Sequence, residues 1–324
     1  MAELTYRESI PLALAQEMER DPDVVLIGED LGAGGVFKTT KGLIERFGEV
    51  RVRDTPISEQ AIVGAAMGAA MVGLRPVAEI MFSDFYATCW DGVVNEIAKA
   101  RYMSGGQVSL PLVIRSANGG GVGFGSQHSQ AVENWAMCVP GLKIVAPSTP
   151  ADMAGLLAAS IRDNDPVLVF EHKALYATRG QVPEGEVFVP LGQAAVRRVG
   201  SDVTIVALAS TVPMALEAAE AISRRGVDAE VIDLRCLVPL DAATVLASVA
   251  RTGRLVVSEE NPGQLGWGSA ISAIVVEEAF DALRGPIVRV SGGNVPLPVA
   301  KPLEAEVSPS AERIAAAALA LAGS

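Results

Sequence analysis

The chain has two histidines, and one of them, His128, lies in its densest glycine stretch, "GGGVGFGSQHSQAVENW", from Gly119 to Trp135. Two kinds of chemistry would suit such a stretch. Backbone N–H groups could cradle a phosphate, or the loop could carry an imidazole to where a proton moves. Spacing tests the first. A dinucleotide fingerprint needs G-x-G-x-x-G between a strand and a helix. The sixth positions counted from Gly119, Gly121 and Gly123 are Phe124, Ser126 and His128, so no register fits. No G-x-x-x-x-G-K-[ST] occurs either. The glycines still permit positive φ and close backbone approach. The sharper reading is a cavity wall that presents His128 at the edge of a helix, where an imidazole could move a proton. Spacing alone favours the plainer one, a surface residue near a helix N-terminus. His172, between Glu171 and Lys173 at a strand end, reads as a solvated or structurally paired histidine.

The elements that must position these residues alternate. "TYRESIPLALAQEMERD" predicts a helix, with Thr5 and Glu8 at capping-box spacing. "VVLIG" predicts a buried strand, "ISEQAIVGAAMGAAMVG" a helix with Ser58 as N-cap, and "RPVAEIMF" a strand. "DFYATCWDGVVNEIAKARYMSGG" predicts one long helix stopped by Gly105-Gly106, and "LPLVIRSA" the strand before the glycine loop. "GLKIVAPS", a helix opened by Pro150, and "PVLVFEH" close the series. Continuous apolar strands alternating with helices mark a parallel sheet covered on both faces. The stretch from Ala177 to Gln193 is rich in Gly, Pro and charge, and beyond it the alternation restarts. The expected fold is α/β with two domains, 1–180 and 193–324, joined by a linker at 181–192, each a mostly parallel sheet with helices on both faces.

Composition narrows the partners. A net charge of −12 argues against nucleic acid and against an anionic membrane surface. No apolar run is long enough to span a bilayer, and "MAELTYRESI" lacks the basic and apolar regions of a signal peptide. Cys89, Cys138 and Cys236 are far apart with no C-x-x-C pair, as expected of a reducing compartment and no structural zinc. The expected location is cytoplasmic.

Several stretches then occur in one order: "DTPISEQAIVGAAMGAAMVGLRPVAEIMFSDF", "VVNEIAKARYMSGG", "GSQHSQAVENWAMCVPGLKIVAPSTPADMAGLL", "ASIRDNDPVLVFEHKALY" and "GSDVTIVA". Together they resemble the β subunit of the thiamine-dependent first component of 2-oxo acid dehydrogenase complexes, the family of the pyruvate, branched-chain 2-oxo acid and acetoin dehydrogenases. The resemblance runs from about Leu4 to the last helix. It implies a transketolase-like pyrimidine-binding domain followed by a transketolase C-terminal-like domain. It also implies thiamine diphosphate shared with an α subunit in an α2β2 heterotetramer, Mg²⁺ on the α chain, and a dihydrolipoyl acyltransferase with a lipoyl domain as partner. The α-type phosphate signature, G-D-G followed by N-N, is absent; "GED" at Gly28–Asp30 is the nearest match. The chain should therefore be half of a site. An enzyme that works alone, or a non-catalytic assembly or nucleotide-carrier subunit, are the rival readings.

Residue by residue, the resemblance assigns Glu59 of "ISEQ" to hydrogen-bonding and proton exchange with the cofactor's pyrimidine ring. It assigns Met81 and Phe85 of "IMFSDF" to the apolar wall around that ring. His128 of "QHSQ" falls in the substrate channel, with proton transfer to intermediates and during reductive acylation as its implied role. A structural K⁺ is implied at Leu112, Ser160, Ile161, Asp163 and Asp165, mostly through main-chain oxygens, although Asp165 departs from the family's asparagine. The loop and the ending "GGNVPLPVAKPLE" lean toward the acetoin or pyruvate branch, and the ending departs from D-x-P-x-P near Asn294.

Overall fold

The computed structural model describes residues 1–323. They form two compact units: residues 1–118 with 135–191, and residues 119–134 with 192–323.

The first unit contains β1 (Ala2–Thr5), β2 (Val24–Glu29), β3 (Val52–Thr55), β4 (Arg75–Phe82), β5 (Val113–Asn118), β6 (Lys143–Val145), β7 (Val167–His172) and β8 (Arg179–Val182). Its helices are α1 (Tyr6–Arg20), α2 (Leu43–Phe47), α3 (Glu59–Met71), α4 (Tyr86–Asp91), α5 (Ala100–Met103), α6 (Glu133–Met137, which begins in the second unit) and α7 (Pro150–Arg162). The main sheet runs β6-β7-β5-β4-β2-β3, all parallel. Ile80, Ile114, Leu168 and Val169 are fully buried, as strands covered on both faces require. From β2 the chain proceeds to β3 on one side and then to β4 on the other. The switch point therefore lies between β2 and β4, and the crevice beyond their C-terminal ends is where such sheets take ligands.

Local chemistry explains several boundaries. Thr5 caps α1: its Oγ1 accepts the Glu8 N–H at 3.2 Å, and Glu8 Oε2 accepts the Thr5 N–H at 2.8 Å. Pro150 opens α7 behind Thr149, whose Oγ1 accepts the Asp152 N–H. The expected single helix after β4 is instead broken. A 3₁₀ turn (Ser83–Phe85) leads into α4, Cys89 is non-helical (φ −127°, ψ 18°), and a π-helical segment spans Gly92–Ile97 before α5. The π-helical segment opens close against α3: a Cβ at Gly92 would lie 3.1 Å from Gln60 Nε2 and 3.2 Å from Val63 Cγ2, an approach that glycine permits. Part of the stretch that reads as linker is also ordered: β8 pairs antiparallel with β1, Thr5 opposite Arg179.

The second unit contains β9 (Ala195–Arg198), β10 (Val203–Ala207), β11 (Ala229–Asp233), β12 (Cys236–Val238), β13 (Leu255–Pro262) and β14 (Val288–Gly292), with α8 (Thr211–Ser223), α9 (Ala242–Thr252), α10 (Trp267–Ala279), α11 (Lys301–Val307) and α12 (Ala311–Ala322). One sheet runs β14-β13-β10-β11-β9, parallel except at β9. Ile205, Val231, Val256 and Ile314 form its buried centre. Among the described residues, no helix is long and apolar enough to cross a membrane.

Candidate functional site

In the first unit the expected residues gather at the switch point. Glu59 is the first residue of α3 and half-buried. Ser58 takes the N-cap position, but its side chain makes no capping bond. Glu29 ends β2 and is buried, with Thr55 as its register partner on β3. Neither Glu29 Oε2 nor Thr55 Oγ1 has a hydrogen-bond partner. Burial, and then the negative charges of Glu59 and Asp30, raise the Glu29 carboxyl above the ordinary carboxylate range. Burial and the Glu59 charge also push the Cys89 thiol up to about 12, so it stays protonated at neutral pH.

Met81 is the penultimate residue of β4, and Phe85 lies in the 3₁₀ turn that follows it. The β4–β5 register runs from Ile80 opposite Ser116 to Phe82 opposite Ala117, leaving Met81 in a bulge. A bulge re-aims side chains next to sites of function. Phe85 stacks edge-on against Phe82, centroids 5.4 Å apart, and Phe82 meets Phe37 at 5.4 Å. Ser83 Oγ donates to Asn118 Oδ1 at 2.8 Å, tying the turn after β4 to the end of β5.

A buried charged row lies behind these residues. Arg115 on β5 bridges Glu79 on β4 and Glu171 on β7. Burial raises the Glu79 carboxyl, Arg115 opposes that, and the Glu29 charge adds to it. Glu29, Phe82 and this row are not among the residues expected from sequence. The signal available for Glu29 was "GED", which reads only as a failed phosphate motif.

His128 lies in the second unit. It sits in a turn, half-buried, with its N–H donating to the Gly125 carbonyl at 3.3 Å, whereas the sequence suggests a helix edge. The next helix begins only at Glu133. The glycine pattern is real conformational demand: Gly119, Gly121, Gly123 and Gly125 all have positive φ. At Gly125 a Cβ would stand 2.8 Å from Val299 Cγ2. The loop's N–H groups do receive anions, and these are the chain's own. Gly120 donates to Glu260 Oε1 at 2.8 Å and Gly121 to Glu304 Oε1 at 2.7 Å. His172 is buried, and its Nδ1 accepts the Ala174 N–H at 3.3 Å, a structural pairing.

The potassium expectation falls on the C-terminal end of α7 and its neighbours. Arg75 Nη1 donates to the carbonyls of Ile161 (3.0 Å) and Asp163 (3.1 Å), and Arg75 Nη2 to Asn164 Oδ1 (2.9 Å). Lys143 Nζ sits 2.7 Å from Asp163 Oδ1 and 3.2 Å from Asp165 Oδ2. Ser160 Oγ donates within α7, and the Leu112 carbonyl accepts the Val167 N–H at 2.9 Å. Among the described residues, no group of three or more His, Cys, Asp or Glu side chains is placed to hold a metal ion.

Known proteins are similar to this chain over nearly its whole length. Residues 2–179 match the family model "Transketolase, pyrimidine binding domain" and residues 192–314 match "Transketolase, C-terminal domain". The chain is 48% identical to acetoin:2,6-dichlorophenolindophenol oxidoreductase subunit beta of Cupriavidus necator, covering 97% of this chain and 96% of that protein. It is 45% identical to a rice (Oryza sativa subsp. japonica) mitochondrial pyruvate dehydrogenase E1 component subunit beta-2, covering 98% and 85%. It is 43% identical to the 2-oxoisovalerate dehydrogenase subunit beta of Bacillus subtilis, covering 98% of each. Among solved structures, a split-gene transketolase described as an inactive beta4 tetramer superposes with a TM-score of 0.81 at 25% identity, covering 99% of this chain and 98% of that one.

Proposed function

This chain belongs to the β-subunit family of the acetoin, pyruvate and 2-oxoisovalerate dehydrogenases, oxidoreductases built on transketolase pyrimidine-binding and C-terminal domains, and on that premise we propose that it forms the pyrimidine side of a thiamine diphosphate site completed by an α subunit. One observation carries the reading. A half-buried carboxylate opens α3 at the sheet's switch point, beside a buried carboxyl, Glu29, and a hydroxyl, Thr55, whose Oε2 and Oγ1 have no protein partner. Buried polar atoms without partners are costly unless a bound group satisfies them. A flat heteroaromatic ring with nitrogens on its rim, between apolar side chains, fits that set.

Thiamine diphosphate, when bound, supplies the electron sink. Glu59 would hold a ring nitrogen and exchange a proton there. Met81, at its bulge, and Phe85, braced by Phe82, would wall the ring and exclude water. His128 moves protons during acyl transfer to a lipoyl group. The diphosphate and its Mg²⁺ belong to the α chain in an α2β2 assembly, since this chain carries no G-D-G. The substrate is acetoin or pyruvate, with a branched-chain 2-oxo acid as the alternative; the leaning comes from the glycine loop and the ending "GGNVPLPVAKPLE", since identities of 48, 45 and 43% to acetoin, pyruvate and 2-oxoisovalerate subunits do not separate the three. The acyl group leaves on the lipoyl domain of a dihydrolipoyl acyltransferase, whose docking the net charge of −12 would favour for a basic surface. Three free cysteines suit a cytoplasmic location. No potassium ion is part of the proposal. Arg75 already donates to two of the main-chain oxygens that the resemblance assigns to the ion.

The test is native mass spectrometry of the tagged chain purified from its own host, followed by dye reduction with acetoin, pyruvate and 2-oxoisovalerate. Equal copies of a second chain bearing G-D-G…N-N, with thiamine diphosphate bound and turnover of acetoin or pyruvate, supports the proposal. Recovery as a β-only oligomer without cofactor overturns it. Preference for 2-oxoisovalerate overturns the substrate assignment alone.

A further inference from the structure

The glycine loop cannot hold its own shape. Glycines at positive φ lose more conformational entropy on ordering than other residues, and a half-buried loop must find acceptors for its N–H groups. The acceptors here are carboxylates from distant parts of the second unit. Glu304, on α11 and only 4% exposed, receives the Gly121 N–H through Oε1 at 2.7 Å. Glu260, on β13, receives the Gly120 N–H through Oε1 at 2.8 Å. The other oxygen of Glu260 is fixed by Ser210 Oγ at 2.9 Å. A Cβ at Gly120 would lie 3.1 Å from Glu304 Oε1 and 3.3 Å from Glu260 Oε1, so both carboxylates close on one point of the loop. Bonds from N–H to a carboxylate are about twice as strong as neutral ones.

A second strap holds the other end. Ser126 Oγ donates to the Leu297 carbonyl at 3.1 Å, and Gly125 lies against Val299. The turn bearing His128 follows directly, its N–H on the Gly125 carbonyl. We infer that Glu304 and Glu260 are positioning residues for His128, acting through the backbone of Gly120 and Gly121. This rests on the reading of His128 as the proton-transfer group for lipoyl acylation. The C-terminal segment from Asn294 through α11, whose departure from the family pattern leaves its role open on sequence alone, thereby gains a function: it anchors the loop.

The experiment uses the α-paired enzyme and compares His128→Asn, Glu304→Leu, Glu304→Gln and the His128→Asn/Glu304→Leu double variant. Rates of reductive acylation of a lipoyl domain are measured, with hydrogen exchange followed over residues 119–128. A misplacement on the order of 1 Å costs about 100-fold in rate. Glu304→Leu is therefore expected to lower the acylation kcat by roughly ten- to a hundredfold, with faster exchange at Gly120 and Gly121 and unchanged affinity for thiamine diphosphate. Glu304→Gln, whose amide oxygen still accepts the N–H, is expected to stay within about threefold of wild type. The double variant should be no slower than His128→Asn, because residues acting as a unit are not additive. Wild-type acylation in Glu304→Leu, alongside a loss in His128→Asn, overturns the inference and leaves the His128 reading standing. Wild-type acylation in His128→Asn removes that reading and the inference with it. Lost thiamine diphosphate affinity in Glu304→Leu with equal loss in Glu304→Gln would mark a merely structural role and also overturn it. A Glu260→Leu variant repeats the test at the other carboxylate should Glu304→Leu fail to fold.

Discussion

Arg115 Nε and Nη2 donate to the two oxygens of Glu171 at 2.6 and 2.9 Å, in a fork closed on its free side by Glu79 and buried in the middle of the parallel sheet. Tyr176 OH donates to the same Glu171 at 3.0 Å. Burial works against the charged guanidinium, but Glu171 and Glu79 outweigh it. Removing one partner of a buried pair leaves an uncompensated charge and costs about 3–5 kcal/mol. Arg115→Met strands two carboxylates at once. Its urea midpoint should fall by the equivalent of at least about 3 kcal/mol. An unchanged midpoint would mean that the row contributes nothing to the fold.

Glu29 makes stability depend on pH in a defined direction. Burial, Glu59 and Asp30 raise its carboxyl in the folded state. The folded protein therefore binds that proton more tightly than the unfolded chain does. The resulting stabilisation is complete below the ordinary carboxylate range and is lost as pH rises through the raised folded value. At pH 8 the ionised group destabilises the fold, so Glu29→Gln should melt higher than wild type there. The advantage should shrink toward pH 4. Thermal melts without thiamine diphosphate measure it, and a wild type that gains on the variant as pH rises would reverse the assignment.

Glu59→Gln keeps the size of the side chain and removes the exchangeable acid. General acid–base groups contribute about 10²- to 10⁴-fold. Thiamine-dependent turnover should fall by that order, while co-purification with the α chain is unchanged. Full turnover in the variant would show that Glu59 does no proton work. Loss of the α chain would instead point to a role in assembly.

Periodicity sufficed for elements whose neighbours in sequence are their neighbours in space. The strand Arg75–Phe82 and the helix opening at Pro150 appear where the alternation puts them. The glycine stretch draws attention to His128, but its role and that of Glu59 rest on motif resemblance, because a first-turn glutamate has no distinctive local signal and a loop histidine reads equally well as a surface residue. Three features lay beyond either approach. The bulge at Met81 depends on how β4 meets β5. The break at Cys89 and the close approach of Gly92 to α3 belong to tertiary packing, which periodicity does not report. The anchoring of the glycine loop depends on Glu260 and Glu304, far along the chain, which read as ordinary charged residues until the second unit folds around them.

The loop after α7 distinguishes an internal cation from a bound one. The Arg75 guanidinium sits on the carbonyls of Ile161 and Asp163. Despite the cost of burial, Arg101 and Lys143 hold the Asp165 carboxyl below the ordinary range. An ion present at 100 times its dissociation constant would stabilise the fold by about 2.7 kcal/mol. At roughly 2–4 °C per kcal/mol for a chain of a few hundred residues, that is a shift of several degrees. If the chain's own cations do this work, melts in potassium chloride and choline chloride at equal ionic strength should coincide to within about 2 °C. Arg75→Met should then melt lower in both salts. A potassium-specific rise of several degrees in the wild type would place an ion beside Arg75 and restore the site that the family resemblance implies.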